Sequence, residues 1–464
     1  MRALSAYSQT TLVCTLLAVT GCAIHEPPTH IAIASPAQWV DAQATEEAIS
    51  PQWWNAFGSA RLAALIDKAL QANPDLRTAA NRVRQADLAL QQAGVPLLPS
   101  ASASAGTSAA RSEGGNTRKS SSLSVGVSYE VDLWGRLAAS QDSASLAAQA
   151  SRHDLETARI TIAASVASSY FQWLTARERL ALAQENLALA ERVLHITQAR
   201  FANGVATALD VSQQTTAVLQ QRTALAPLQL QARQTASALA LLLGEQPVGF
   251  EVADTTAQET LLQLQVPTVT PGLPSTLLAR RPDLCAQEAR LAAADADVAA
   301  ARAALLPSLS LSTSGGASSA ALLELASGSG TLSLGASLAQ TLFDGGRKKL
   351  QIESIRLQRE MLIDNYAAAA RTAFKEVDDA LGQAATSLHQ ERAQTAVAAQ
   401  AERTLRLAEV RYKEGADTLL SVLDAQRTLF SARDALTQQR LTRLNAAVSL
   451  YRVLGGGWQT QPQS

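Results

Sequence analysis

The 464-residue chain carries three cysteines, too few and too badly placed for an internal disulfide framework. Cys14 lies inside an N-terminal export segment, Cys22 ends it, and Cys285 stands alone in what remains. The five histidines, His25, His30, His153, His195 and His389, are scattered, with no cysteine or carboxylate at ligand spacing, so no metal site is expected. Neither a nucleophile elbow nor a phosphate loop occurs. Gly345-Gly346-Arg347-Lys348-Lys349 lacks the phosphate-loop spacing and fits a strand-to-helix turn better. The expectation is therefore a protein that is not an enzyme. Charge of one sign is also missing: 39 basic residues stand against 40 acidic ones, which gives nucleic acid nothing to bind. Past the N-terminal segment no run of about 20 apolar residues exists, which excludes a transmembrane helix.

The first 21 residues read as a lipoprotein signal peptide. Arg2 supplies the positive start, residues 11–19 form an apolar run too short to span a bilayer, and Val19-Thr20-Gly21-Cys22 follows. Small residues before a cysteine resemble a bacterial lipobox. Cys22 is then the expected mature N-terminus, carrying an N-palmitoyl and an S-diacylglycerol group as its only prosthetic chemistry. Ala23, in place of an aspartate, points to the outer membrane as the address.

What the chain has is a second copy of itself. Asn73-Pro74-Asp75-Leu76 returns as Arg281-Pro282-Asp283-Leu284, and Leu98-Pro99-Ser100 as Leu306-Pro307-Ser308, both 208 residues on. Leu133-Trp134-Gly135-Arg136 returns as Leu342-Phe343-Asp344-Gly345-Gly346-Arg347, and Arg200-Phe201-Ala202-Asn203-Gly204 as Arg411-Tyr412-Lys413-Glu414-Gly415, both 211 on when counted at Arg136 and Gly204. The period is far longer than a solenoid repeat and implies tandem duplication of a whole structural half.

Each half holds the same parts. A helix rich in Ala, Leu, Gln and Arg covers 74–93 and again 282–304, each stopped by Leu-Pro-Ser. Strand candidates follow. Leu123, Val125, Val127, Tyr129, Val131 and Leu133 alternate with small or polar residues, as do Leu332, Leu334, Ala336, Leu338 and Leu342. Their partners begin at Ala101 and at Leu309, with Ser/Gly-rich loops expected at 111–119 and 315–330. Periodicity alone fits either a soluble hairpin with one wet face or a membrane strand; export and the matched recurrence favour the second. Next comes a proline-free stretch over 135–201 and again over 346–412, 67 residues each. At 1.5 Å per residue each helix would reach roughly 100 Å and needs neighbours along its length. Turns centred on Gly204 and Gly415 fit left-handed helix caps, and shorter return helices follow at 209–243 and 419–454. Added to the 74 or 282 helix, each return helix approaches the length of the long one, so the two could stack end to end beside it. Trp53-Trp54-Asn55-Ala56-Phe57 fits local core.

These motifs, in this order, resemble the outer membrane factor family of TolC- and OprM-like channels, and within it the NodT-like lipoprotein branch. The stretches that carry the likeness are Trp53-Trp54…Phe57, Asn73-Pro74-Asp75-Leu76, Asp132-Leu133-Trp134-Gly135-Arg136, Arg280-Arg281-Pro282-Asp283-Leu284, Leu342-Phe343-Asp344-Gly345-Gly346-Arg347, and Tyr412…Gly415…Leu423-Asp424-Ala425-Gln426-Arg427. The resemblance implies an α+β membrane protein. Four strands per chain join a trimeric, 12-stranded transmembrane β-barrel, and coiled-coil helices continue as a periplasmic tunnel. Four strands leave open edges that lipid does not tolerate, and three copies are the smallest set leaving a usable bore. The expected order is signal 1–21, N-terminal anchor and equatorial segment 22–72, first repeat 73–244 with hairpin 99–133, equatorial linker 245–280, second repeat 281–455 with hairpin 307–343, and tail 456–464.

The implied function is a passive exit duct of a tripartite efflux pump, working with a periplasmic adaptor and an inner membrane RND-type transporter. A type I protein secretion duct and a pore-free envelope lipoprotein remain the alternatives. By position, the resemblance places the constriction at Leu420, Asp424 and Arg427, spaced four and three apart on one helix face. Without it, Asp424 and Arg427 are an ordinary surface pair. Asp210 and Tyr412 match positions that latch neighbouring helices shut, while Asp417 stands where some members carry an arginine.

Overall fold

The computed structural model describes residues 35–40, 49–111, 115, 117–252, 259–320 and 328–458. The signal segment and Cys22 lie outside the described residues. The chain divides into two compact units, one built from Arg82–Arg152 and Ala286–Ala367, the other from Ile33–Asn81, His153–Cys285 and Ala368–Ser464.

The first unit contains a four-stranded antiparallel sheet in the order β1-β2-β3-β4, with β1 Ser100–Arg111, β2 Thr117–Val131, β3 Ser308–Ser319 and β4 Ser329–Ala339. The strands are longer at their tips and shorter at their bases than the alternation suggests. Residues 117–119 and 315–319, expected in loops, are paired rungs, whereas Leu133 and Leu342 fall beyond the last rungs. For 315–319 the cause is composition: serine and glycine mark turns in soluble proteins, but here they make up most of one face of the sheet. Ser100 meets Ser128, and Ser104 meets Ser124, hydroxyl to hydroxyl at 2.8 Å; Ser314 meets Ser333 at 2.7 Å. The opposite face carries Leu123, Val125, Leu332, Leu334 and Leu338, all exposed. Both β1 and β4 are edges.

Each second strand of a pair leads into a long helix through an aspartate. The Asp132 carboxylate accepts from the N–H groups of Leu137 (3.1 Å) and Ala138 (2.8 Å), and opens the helix Arg136–Ala202. Asp344 accepts from the N–H groups of Gly346 (3.0 Å) and Lys348 (3.1 Å), and opens the helix Arg347–Lys413. Such a carboxylate satisfies orphan donors and opposes the positive end of the helix dipole. Gly135, Gly345 and Gly346 take the left-handed conformations of these turns.

The helices, in chain order, are α1 Ala60–Ala72, α2 Pro74–Gly94, α3 Arg136–Ala202, α4 Ala208–Leu242, α5 Pro274–Arg280, α6 Pro282–Ala303, α7 Arg347–Lys413 and α8 Leu419–Val453. Pro227 sits inside α4. No described helix is long and apolar enough to cross a membrane.

The second unit shows how a return helix meets the start of its half. Asn73 caps α2, its Oδ1 accepting from Asp75 (2.8 Å) and Leu76 (3.2 Å), while its Nδ2 donates to the carbonyl of Leu242 at the end of α4 (2.8 Å). At the corresponding place in the other half, Arg281 donates to the carbonyl of Val453 at the end of α8 (3.5 Å) and pairs with Asp283 (2.8 Å) and Glu376 (2.7 Å). Gly244 and Gly455 finish the two joints at φ of 71° and 90°. A side chain on Gly244 would place its Cβ 2.6 Å from the Ala72 carbonyl oxygen, and one on Gly455 would collide with that of Arg280. Beside the joints lies an aromatic core in which Trp53 stacks on Tyr451 (5.0 Å between centroids) and Phe57 packs on Phe171 (5.2 Å).

Candidate functional site: the two helical turns

The helical hairpins α3–α4 and α7–α8 close through turns of the same backbone design. In the first, Gly204 has φ of 72°, its N–H donates to the Phe201 carbonyl (3.0 Å), and Val205 donates to Arg200 (2.9 Å). In the second, Gly415 has φ of 73°, its N–H donates to Tyr412 (3.1 Å), and Ala416 donates to Arg411 (2.9 Å). These are Schellman closures, and an L-residue at either glycine would be strained.

The side chains that finish the turns differ. In the first, Thr207 and Asp210 form a capping box. Asp210 N–H donates to the Thr207 hydroxyl (3.2 Å), and the Asp210 carboxylate accepts from the Thr207 N–H (2.8 Å) and hydroxyl (2.7 Å). In the second, Thr418 caps nothing with its side chain. Asp417 does this work from one position earlier, accepting from the Thr418 N–H (2.8 Å), the Ser421 hydroxyl (2.7 Å) and Arg411 Nε (3.2 Å). Hydrogen bonds from the Thr207 N–H and then its hydroxyl hold the Asp210 carboxyl below the usual aspartate range. The Ser421 hydroxyl, then the Thr418 N–H and Arg411, do the same for Asp417.

Asp210 and Tyr412, the latch positions expected from the sequence, make their hydrogen bonds within the chain to other residues. Asp210 is taken up by Thr207. Tyr412 is held by Arg200, a residue that sequence reasoning missed. The Arg200 guanidinium lies over the Tyr412 ring, 4.4 Å from its centroid, and its Nη1 donates to the Tyr412 carbonyl at 3.1 Å. The two turns are thus tied by a cation–π contact reinforced by a charge-assisted hydrogen bond. The equivalent Arg411 folds back onto its own turn because Asp417 waits there; the residue matching Asp417 in the first turn is Ala206, so Arg200 is left to reach across. Those residues are legible in sequence, but their pairing is not.

Leu420, Asp424 and Arg427 lie together on the exposed face of α8, Leu420 being 58% accessible. The opposite face, with Val422, Ala425 and Leu429, is buried against Ala401, Leu405 and Ala408 of α7. Among the described residues neither Asp424 nor Arg427 has an ion-pair partner within the chain. Both line an open cleft with Leu420 and with Gln213, Thr216 and Gln220 of α4. The cleft therefore has one charged wall and one neutral wall.

Residues 65–245 and 273–456 match the model of a family described as outer membrane efflux protein, one match per repeat. The pyoverdine export outer membrane protein OpmQ of Pseudomonas aeruginosa is 38% identical over 475 residues, covering 97% of each chain. The toluene efflux pump outer membrane protein TtgC of Pseudomonas putida is 36% identical, covering 92% of this chain and 88% of its own. Among solved structures, the open-state MtrE outer membrane channel of Neisseria gonorrhoeae superposes with a TM-score of 0.85 at 28% identity, covering 96% of this chain and all of that one. The OprN channel does so at 0.85 and 26%, covering 94% and 100%. The neighbours are trimeric channels, and the four strands are this chain's share of a 12-stranded barrel continued by a helical tunnel. Such relatives are ducts of efflux pumps in the outer membrane. The chain belongs to the outer membrane efflux protein family.

Proposed function

We propose that this chain is the lipid-anchored exit duct through which a tripartite pump discharges small organic molecules across the outer membrane. It assembles as a homotrimer, meets a periplasmic adaptor at the helical turns, and receives its cargo from an inner membrane RND-type transporter. It does no chemistry of its own and needs no metal or cofactor beyond the lipid on Cys22. The observation that carries the duct reading is the sheet with one apolar face, one serine face and two open edges. A pyoverdine export protein and a toluene efflux pump protein as relatives matched over most of their length support small-molecule cargo over secreted protein.

The gate is proposed at Leu420, Asp424 and Arg427. Threefold symmetry turns each into a ring: leucine narrows the bore, aspartate gives it charge, and arginine finds its carboxylate in a neighbouring copy. The turns are held inward by the Arg200–Tyr412 contact.

Reconstituting the purified trimer in planar bilayers tests the duct directly. Discrete conductance steps are expected. Complementing a strain that lacks its outer membrane efflux duct should restore tolerance to small hydrophobic antibiotics. Stable insertion with no conductance would leave a structural envelope lipoprotein, and a defect confined to a secreted polypeptide would make it a secretion duct.

A further inference from the structure

We infer that β4 of one copy pairs with β1 of the next in a single register, in which the two residue numbers add to 443, so that Leu338 faces Ala105 and Ser337 faces Gly106 of the neighbouring copy. The inference rests on the trimeric barrel and adds to it the rung-by-rung contact that closes it.

The register follows from the duplication. Within the chain, β2 pairs with β3 so that the numbers of facing residues add to 440, as in Val127↔Thr313. This is the seam between the second strand of one half and the first strand of the other. The seam between β4 and a neighbour's β1 is the same junction: second strand of one half, first strand of the other. Facing residues add to 228 across β1 and β2, as in Ser100↔Ser128, and to 647 across β3 and β4, as in Ser308↔Ala339. With β3 lying 208 after β1, the value read at the two Leu-Pro-Ser motifs, these totals place β4 at 211 after β2. The same 211 separates the two helical turns. Lowering each β3 number by 208 and raising each β2 number by 211 turns the total of 440 into 443.

Two features not used in that derivation agree with it. The first is facing. The apolar face uses odd numbers in β1, β2 and β3 but even numbers in β4, as Leu309↔Leu338 and Leu123↔Ala105 show. Only an odd total keeps the apolar face continuous across the seam, because a slip of one residue turns every side chain over. The second is the glycines. On the serine face of the internal seam, Ser124 faces Gly316 and Gly126 faces Ser314. The first pair is tight: a Cβ on Gly316 would lie 2.7 Å from the Leu123 carbonyl oxygen and 3.0 Å from the Ser124 Cβ. At the corresponding rungs of the inferred seam, Gly335 faces Ser108 and Ser337 faces Gly106. Each rung again joins one serine to one glycine, with the glycine moved to the other strand. Shifting the register by two breaks the match, setting Gly335 against Gly106 or Ser337 against Ser108.

Cysteine cross-linking tests the register in the full-length trimer. In a Cys285→Ser background, Leu338→Cys is combined with Ala105→Cys, and as same-face controls with Ala103→Cys or Thr107→Cys. Facing rungs put Cα atoms about 4.5–5.5 Å apart, within disulfide reach, while a two-residue shift takes them to roughly 7–8 Å. Within one chain positions 105 and 338 are three strand spacings apart, roughly 14 Å, so any bond formed joins two copies. Oxidation in isolated outer membranes should give covalent dimers and trimers from the matched pair, with about tenfold less from either shifted pair. A second matched pair on the other face, Ser104→Cys with Ala339→Cys, guards against a variant that fails to insert. Native trimer mass measured beside each gel separates the two ideas. Trimers whose shifted pairs link best overturn the register alone. Trimers in which neither matched pair links overturn it as well. Loss of the trimer from the Cys285→Ser parent overturns the barrel on which it rests.

Discussion

Arg200 grips Tyr412 in two ways at once, its guanidinium over the ring at 4.4 Å and its Nη1 on the backbone carbonyl at 3.1 Å, although 212 positions separate them. The contact joins the turn of one repeat to the turn of the other. An arginine held by both ring and carbonyl resists replacement by lysine, which has neither the plane nor the fork.

Removing this contact should loosen the tip. Arg200→Ala forgoes about 1 kcal/mol in each protomer, which shifts an open–closed balance roughly fivefold per copy. Single-channel conductance should rise, and cells should admit large antibiotics normally excluded. Arg200→Lys should fall most of the way to the alanine phenotype. Unchanged conductance in both variants would remove Arg200 from the latch.

The proposed rings make a separate electrical prediction. Asp424→Ala should lower cation preference, and the preference of the parent channel should itself weaken above about 0.1 M salt, where the Debye length drops below roughly 10 Å. Arg427→Ala leaves carboxylates facing one another and should widen the bore. Reversal potentials in salt gradients check the first and conductance the second. If neither variant changes, the constriction lies elsewhere.

The turns should be indifferent to pH until strongly acid conditions. Asp210 and Asp417 are both held below the ordinary aspartate value of 3.8 by the hydrogen bonds they accept. A carboxyl with a lowered folded-state value contributes stability that is complete above the ordinary value and is lost as the pH falls through the lowered one. Conductance should therefore stay flat from neutral pH to about pH 5 and rise only below the ordinary range. Asp210→Asn should raise it already at neutral pH, because the amide replaces a charged acceptor of two hydrogen bonds.

The joints between return helix and repeat start should tolerate no side chain. Gly455→Ala meets both a left-handed φ and the Arg280 carbonyl, and Gly244→Ala meets the Ala72 carbonyl. Each should cost at least 2 kcal/mol or so per protomer. Asn73→Ala loses a helix cap and a bond to Leu242, for about 1–2 kcal/mol. Trimer yield and melting temperature in detergent report these, with Gly455→Ala the most severe.

Mass spectrometry of the mature N-terminus checks the anchor. An acylated Cys22 is expected, and Cys22→Ser should impair processing and anchoring while leaving conductance intact. An unmodified N-terminus at another residue would end the proposal.

Much of this was legible in the chain. The offsets of 208 and 211 locate every repeated part, and the alternation from Leu123 to Val131 gives the apolar face of the sheet. Other features were hidden for physical reasons. Residues 117–119 and 315–319 lie where a loop is expected but pair as strand, and Gly316 among them sits on the serine face where a Cβ would lie 2.7 Å from the Leu123 carbonyl oxygen, so that glycine is set by crowding across the strands and not by chain reversal. The partner of Arg200 was invisible because it depends on what its own turn lacks, an acid at Ala206, and on a fold that brings two distant turns together.

The serine pairs of the sheet bear on how cargo travels. A hydroxyl already bonded across the strand at 2.7–2.8 Å has less left to offer a passing solute. Such a wall is wettable yet barely adhesive, and its short side chains give a molecule little to catch on. Friction along the bore is then low and nearly the same for unlike solutes. A conduit lined this way can serve whatever cargo its pump selects, because it has no taste of its own.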